Sequence, residues 1–594
     1  MSEKMRCLRK VGELTLRPRI ASVCRGPAQR RLNTNSTRRA PNALESFSIP
    51  KETANGKGFV VGVAVVAGLA GYGISTLSTG DANKPSSTLA ILDPDRLPTV
   101  KYATFEEMQK AIAQIEYELR DTEDIISTDD EDLKMHGFSE WSSVRVDTLP
   151  IAVAYPRNTE QVSTIARICH ERKVPIIPYS GGSSLEGHTA APFGGISMDF
   201  VYMNQIIKIN EDDMDVVAQP SVQWVDLNAQ LKSMGTGLFF PMDPAPSAKF
   251  GGMISTNCSG TNAVHYGTMR DWVINLTVVL ADGTVIKTRK RPRKSSAGYN
   301  LNGLFVGSEG TLGIVTEATL KLAVLPENYS VAVVPFNTIH DAVSAATKVI
   351  RRGVPVAALE LMDETQMRIV NEGGVTRPRV WQEKPTLFFK FSGSKLMLEE
   401  AIQNVKQITE SYGSQGFEFA RDEREQTLLW SARKESLYSL LALRKEGEEM
   451  CELCTTSTNG RFETNGMRWL LGNTDVAVPL SHLADIIVAS KQDAAALGLN
   501  ACVKGHVGDG NFHENITYDG TRPEEYEKAK KAVKNMVQRA IDMEGTCTGE
   551  HGIGFGKKEA LQQEVGNATI SFMKILKGTF DPHWIMNPGK VFDR

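Results

Sequence analysis

His506 and His513 stand seven residues apart in GHVGDGNFH, either side of a glycine-flanked aspartate, Asp509. A helix fits this stretch poorly, because Gly505, Gly508 and Gly510 would each cost about 1 kcal/mol within one. Asp-Gly is a preferred centre for a two-residue type I′ turn. A turn on Asp509-Gly510 pairs Gly508 with Asn511, Val507 with Phe512 and His506 with His513. Opposed residues of such a hairpin carry their Cβ atoms roughly 5 Å apart on one face, so the two imidazoles can share a metal ion. For a lone pair of histidines a polar hairpin with local hydrogen bonds is the favoured reading, and what tips the balance has to come from elsewhere in the chain.

A second kind of chemistry lies in three loops rich in glycine and hydroxyls. In YSGGSSLEGHTA, Gly181, Gly182 and Gly187 let backbone N–H groups converge on an anion, and Ser183 and Ser184 add donors. In PMDPAPSAKFGGMISTNCSGTNAVHYGTMRDWV, Gly251, Gly252, Ser255, Thr256, Ser259, Gly260 and Gly267 leave bare backbone for a large ligand, or for tight packing. The third loop, GYNLNGLFVGSEGTLGIVTEATLKL, ends in a strand. Together the three suit an extended ligand with a diphosphate and polar arms. No GxGxxG closes the first strand and no GxxxxGK[ST] occurs, so neither the common dinucleotide fold nor a P-loop is expected; GIGFGKK is only a near miss.

The elements that must position these groups are those of an α/β body. VRVDTLPIAVAYP reads as strand, and Asn158 with Gln161 starts a helix on which Val162, Ile165, Ala166 and Cys169 recur at helical spacing. VPIIP is a buried strand that runs into the first glycine loop. From about Tyr329 strands and helices alternate (YSVAVVPF, IHDAVSAATKVIRR, VAALELMD, TLFFKFSG, EEAIQNVKQITESYG), which predicts helices on one face of a mainly antiparallel sheet. With 594 residues the chain needs two or three domains. A net charge of −3 and no basic face interleaved with aromatics argue against nucleic acid. Eight cysteines in such a length are no disulfide framework, and the Cys451–Cys454 CxxC lacks the second pair of a zinc site.

The N-terminus differs in kind. Residues 1–40 carry eleven Lys or Arg against Glu3 and Glu13, the composition of a mitochondrial presequence. Gly58 to Gly80 then runs without a charge, long enough to span a bilayer. We therefore expect a presequence (1–57), a transmembrane anchor (58–80) and a spacer with a helical lead-in (81–140). Lys51 and Lys57 before the span and Asp81 after it favour a body outside the matrix.

PRNTEQV, PIIPYSGGSSLEGHT, FGGMISTNCSGTNAVHYGTMRDWV and GLFVGSEGTLGIVTEATLKL together resemble the flavin-binding domain of the vanillyl-alcohol-oxidase-type flavoproteins. GHVGDGNFH, GEHGIG and the terminal NPGKVF are similar to the branch that oxidises D-2-hydroxy acids. The resemblance covers roughly residues 140 to 594 and implies an α+β protein. Its two-part FAD-binding domain would span 141–325. Its substrate, or cap, domain would span 326–594, carrying the metal and catalytic motifs and returning to the FAD domain at the C-terminus. CELCTTSTNGRFETNGM (451–467) reads as an insertion into that pattern.

By the same resemblance, Gly181, Gly182, Ser183, Ser184 and Gly187 would hold the FAD pyrophosphate, and Pro178 would bind the cofactor beside them. Pro241, Asp243, Gly252, Thr256, Ser259, Gly260, Asn262, Tyr266, Gly267, Glu309, Gly313, Ile314 and Val315 would line the rest. His188 stands where histidines of this fold can bond covalently to flavin, but the branch usually holds FAD non-covalently. His551 is the expected base, since imidazole titrates near neutral pH. Arg433 matches the arginine of WxxRxE and would clamp the substrate carboxylate, the plainer alternative being a surface charge paired with Glu435. His506, His513 and Glu550 form a His₂Glu set with open positions, suited to one divalent ion, zinc first, with manganese or iron also compatible. The implied reaction is oxidation of D-lactate with electrons passed to cytochrome c at the inner mitochondrial membrane. D-2-hydroxyglutarate, glycolate and the redox-neutral ether-lipid synthases of the same fold are the alternatives.

Overall fold

The structure is a computed structural model that describes residues 100–139, 142, 146–374, 376–442, 469–519 and 522–594. The expected presequence and anchor, residues 81–99 of the spacer, the CxxC and the 451–467 stretch lie outside these residues. Among the described residues no helix is long and apolar enough to cross a membrane.

Three large sheets order the described residues, beside a two-stranded ladder of Leu238–Phe239 with Ala323–Val324. The first runs Ile126–Ser127, Ala152–Ala154, Ile196–Asp199, Ile176–Tyr179, with the last three mutually parallel. Helix Thr159–Arg172 connects two of these strands. Asn158 caps it by accepting from the Gln161 N–H at 2.9 Å, while the Gln161 carboxamide turns back to the Arg157 N–H at 2.7 Å. Val162, Ile165, Ala166 and Cys169 are all buried. Helix Phe105–Glu118 shares that core through Met108, Ala111, Ile112 and Ile115, so the lead-in is an integral layer of this sheet. The second sheet, Ile206–Asn210, Asp215–Ala218, Ile314–Lys321, Val273–Val279, Val285–Lys287, is antiparallel throughout.

The third sheet runs Glu418–Phe419, Asn328–Pro335, Thr386–Gly393, Ala358–Met362, Asn500–Gly505, Asn511–Asp519, Trp469–Asn473, again antiparallel. Strand periodicity sorts its residues onto two faces. Ala332, Val334, Leu359, Leu361, Leu387, Phe389, Val503 and Phe512 join the large core under helices Ile339–Arg351, Lys395–Ser411 and Leu483–Ala496. The expectation of helices on one face needs correction. Val331, Val333, Met362 and Phe388 point the other way and bury against Met367 and Val370 of helix Glu364–Gly373 and Leu429 and Ala432 of helix Glu423–Lys434. Large apolar residues at those strand positions need cover too. The same face also carries the polar residues Glu360, Lys390, Lys504 and His513.

The C-terminal segment returns to the first sheet. Ile176 donates to Ile585 O and Asn587 donates to Ile176 O, both at 2.7 Å, and Ile585 and Met586 enter the first core.

Candidate active site

The polar face of the third sheet and the glycine loops of the first two enclose a cleft of about 730 Å³, within the usual range for cofactor sites. Pro178, Gly181, Gly182, Ser183, Ser184, His188, Asp243, Gly252, Thr256, Gly260, Glu309, Gly313, Ile314 and Val315 line it, as do Arg433, His506, His513, Glu550 and His551. In the loop after Ile176–Tyr179, Gly182 has a φ of +62°, which favours glycine, and an added Cβ would clash with the Tyr179 hydroxyl. On the adjoining loop a Cβ on Gly252 would meet no atom within 4 Å, so ligand can approach bare backbone there. These features fit a dinucleotide.

Six of the expected lining residues stand one layer back. Ser259 Oγ donates to Glu550 Oε2 at 2.5 Å, and Asn262 bonds Asp243 Oδ1 and the carbonyl of Pro241. Tyr266 packs edge-on against Phe239 and Trp272. Gly187 and Gly267, at φ +74° and +76°, turn the chain. They shape the wall by holding those that touch the cleft. His188 Nε2 lies 2.7 Å from Glu309 Oε2, and its Nδ1 contacts Ser184 Oγ. The Glu309 carboxylate also accepts from the Ile553 and Gly554 N–H groups at 2.7 Å, tying GEHGIG to the glycine-rich loops.

The hairpin is real, but its turn is not the expected one. Lys504, not His506, pairs with His513, and residues 506–510 form the connection, closed by the Asp509 N–H on His506 O at 2.9 Å. A type I′ turn requires positive φ at both central residues; Gly510 has it (φ +79°) and Asp509 does not. The register slips by two residues, an even number, so His513 keeps its face. The two imidazoles still meet, with ring centroids 5.6 Å apart.

Glu550 completes the set. Its Oε1 lies 3.3 Å from His506 Nε2 and 3.4 Å from His513 Nε2, and one ligand atom from each of the three residues falls within 4.8 Å of the others. Each histidine has its other nitrogen tied back, His506 Nδ1 to Glu360 Oε1 at 2.7 Å and His513 Nδ1 to Thr474 O at 3.1 Å. Two Nε2 atoms and a carboxylate facing one point are a donor set that fits a divalent ion. Burial opposes the charge on His506, but Glu360 and Glu550 outweigh it and hold its pKa well above the imidazole norm. Burial alone would raise Glu550; His506 and His513 hold it well below the carboxylate range.

His551 lies against this cluster, its ring stacked on His513 at 5.2 Å and 10°. Arg433 is not paired with Glu435: its Nε donates to Glu360 Oε2 at 2.8 Å, and its side chain is 11% exposed. Sequence reasoning missed Glu360, Asp475, Lys390 and Lys504. Asp475 is buried, and its pKa is lowered because His551, Lys557 and His513 outweigh its desolvation. The one signal for Glu360 is an acid inside the apolar strand VAALELMD. Burial and the neighbouring Arg433 push the Lys504 ammonium down to about 8.

With this geometry in view, the comparisons with known proteins are decisive. An FAD binding domain family matches residues 150–289, and the C-terminal domain of FAD linked oxidases matches 325–459 and 463–591. The chain belongs to the FAD-linked oxidases. It is therefore an FAD-dependent oxidoreductase. Among its relatives, the mitochondrial D-lactate dehydrogenase [cytochrome] of Kluyveromyces lactis is 43% identical over 537 residues, 89% of each chain. That of Arabidopsis thaliana is 40% identical over 535 residues, again 89% of each. The fold is shared with 4-ethylphenol oxidase from Gulosibacter chungangensis (TM-score 0.66, 17% identity, 83% of this chain and 99% of that one).

Proposed function

We propose that this FAD-linked oxidase oxidises D-lactate to pyruvate in the mitochondrion and passes the electrons to cytochrome c. The observation that carries the reading is the convergence of His506, His513, Glu550, His551 and Arg433 on the cleft that the flavin loops line. The relatives named for D-lactate and cytochrome over 89% of the chain support it. When bound, FAD supplies the acceptor for the hydride from Cα, and a divalent ion supplies Lewis-acid chemistry. His506, His513 and Glu550 would hold that ion, with zinc the first candidate. His551 takes the hydroxyl proton, and the terminal nitrogens of Arg433 bind the substrate carboxylate. Lys504 adds positive charge to the wall that receives an anionic acid. His188, 2.7 Å from the Glu309 carboxylate and in contact with Ser184, fits non-covalent FAD.

The charge-free run from Gly58 to Gly80 is read as the inner-membrane anchor, with the body in the intermembrane space. There a mildly acidic chain suits a basic cytochrome. The test is the anaerobic absorption spectrum before and after D-lactate, glycolate or D-2-hydroxyglutarate. D-lactate should bleach the flavin with the highest kcat/KM of the three. A flavin that no 2-hydroxy acid bleaches would point instead to redox-neutral chemistry.

A further inference from the structure

We infer that Glu360 is a positioning residue that ties the substrate clamp Arg433 to the metal ligand His506. The inference rests on the roles proposed above for those two side chains. Glu360 occupies the middle of strand Ala358–Met362, all five residues of which are buried. Its neighbours Leu359 and Leu361 show what the core would otherwise take there. A buried carboxylate is costly to desolvate, and an apolar residue at such a position is often the more stable choice. The partners of Glu360 say what it is for.

Each of its oxygens is used once, and on a different cleft-lining group. Oε1 meets His506 Nδ1 at 2.7 Å, and Oε2 accepts from Arg433 Nε at 2.8 Å. The two partners come from separate elements, the connection after strand Asn500–Gly505 and the last turn of helix Glu423–Lys434. Without a shared anchor each could move independently of the other. The Nδ1 contact leaves His506 Nε2 as the atom facing Glu550, and a carboxylate partner makes a ligating imidazole more basic than a carbonyl would. His513 Nδ1 has the carbonyl of Thr474 at 3.1 Å at the equivalent place, with the Asp475 carboxylate farther off at 3.9 Å. On the other side, holding Nε fixes the guanidinium plane and leaves both terminal nitrogens for a carboxylate. One rigid side chain thus sets the distance between the substrate's carboxylate and the ion.

A merely structural Glu360, there to neutralise a buried arginine, makes different predictions. The test uses FAD-loaded full-length protein stripped of metal by chelation, titrated with zinc against a competing chelator, and assayed for KM and kcat on D-lactate. Glu360→Gln should keep its flavin, bind zinc about ten- to a hundredfold more weakly, and show a KM about tenfold higher. Arg433→Lys should raise KM while zinc affinity stays at the wild-type value. A folded Glu360→Gln protein with wild-type zinc affinity and KM overturns the inference. Should that variant fail to fold, Glu360→Asp keeps the charge but, one methylene shorter, cannot reach both partners. It must lose zinc affinity or raise KM, and wild-type values for both overturn the inference equally. A wild-type protein that takes up no zinc sinks the metal reading and this inference with it, and is recognisable because the failure then shows in the unmutated chain.

Discussion

Four donors end on one oxygen. Asp475 Oδ2 accepts from the N–H groups of Gly549 at 2.8 Å and of Glu550 and His551 at 2.9 Å, and from Thr548 Oγ1 at 2.8 Å. The loop that carries both a proposed ligand and the proposed base is wrapped on a single carboxylate. Bonds to a charged acceptor contribute about 1.5–3 kcal/mol each, so Asp475→Asn should lower kcat by roughly a hundredfold or more while FAD is retained; unchanged kcat would remove Asp475 from the account. Because its pKa is depressed, the stability Asp475 supplies is present above the ordinary carboxylate range and is lost as pH falls below it. Glu550→Ala should lose most of its metal but keep its flavin. His551→Ala should keep both and reduce the flavin slowly, and metal analysis beside the visible spectrum separates the two. His506, His513, Glu550 and His551 were legible because each lies in a compact motif of unusual residues. Glu360 and Asp475 were not, since one acid inside the strand of VAALELMD or in NTDVAVPL shows its purpose only once distant partners fold onto it.

At the scale of elements, the hairpin shows what spacing can and cannot fix. Asp-Gly announced a reversal of the chain, but its type depended on contacts outside it. A Cβ on Gly508 would lie 2.5 Å from Val264 Cγ2, and one on Gly510 would lie 2.3 Å from Val478 O. Gly508→Ala should therefore destabilise the fold by about 1–3 kcal/mol and raise the KM for D-lactate, measurable by thermal unfolding and initial rates; a neutral effect would mean the connection adapts freely. The C-terminal return offers a pH test. Lys590 is buried with Ala190 O at 2.6 Å and Asn587 Oδ1 at 3.0 Å, and burial with nearby Lys558 pushes its pKa down to about 7. An unfolded lysine titrates near 10.4. Between these values the unfolded chain binds the extra proton, so this group's contribution to stability rises with pH. Relative to Lys590→Met, the wild-type Tm should climb from pH 7 to 9.5. Parallel profiles would show that the lysine is not held down. The strands and helices of 328–411 were readable from periodicity, whereas the helices on the sheet's second face were not, because the same alternation describes a face covered by helix or by ligand.

At the scale of the whole molecule, the site exists only where three sheets meet. Glu309 beside the flavin loops holds the GEHGIG backbone, Ser259 reaches Glu550 across 291 residues, and Lys577 Nζ donates to Thr311 O. The family motifs made this assembly legible in outline, since their order along the chain implied a C-terminal half folded over an N-terminal cofactor domain. The proposed membrane anchor rests on the charge-free run from Gly58 to Gly80 alone. The full-length protein should resist carbonate extraction, with protease reaching its body in mitoplasts, and release by carbonate would end the anchor reading. The most direct test of the central claim measures metal content by mass spectrometry together with anaerobic flavin reduction by D-lactate, before and after chelation. The account predicts one divalent ion per chain, rapid reduction, and a fall of orders of magnitude once the ion is removed while FAD stays bound. Protein purified without chelator that carries no stoichiometric metal yet reduces its flavin rapidly would contradict it.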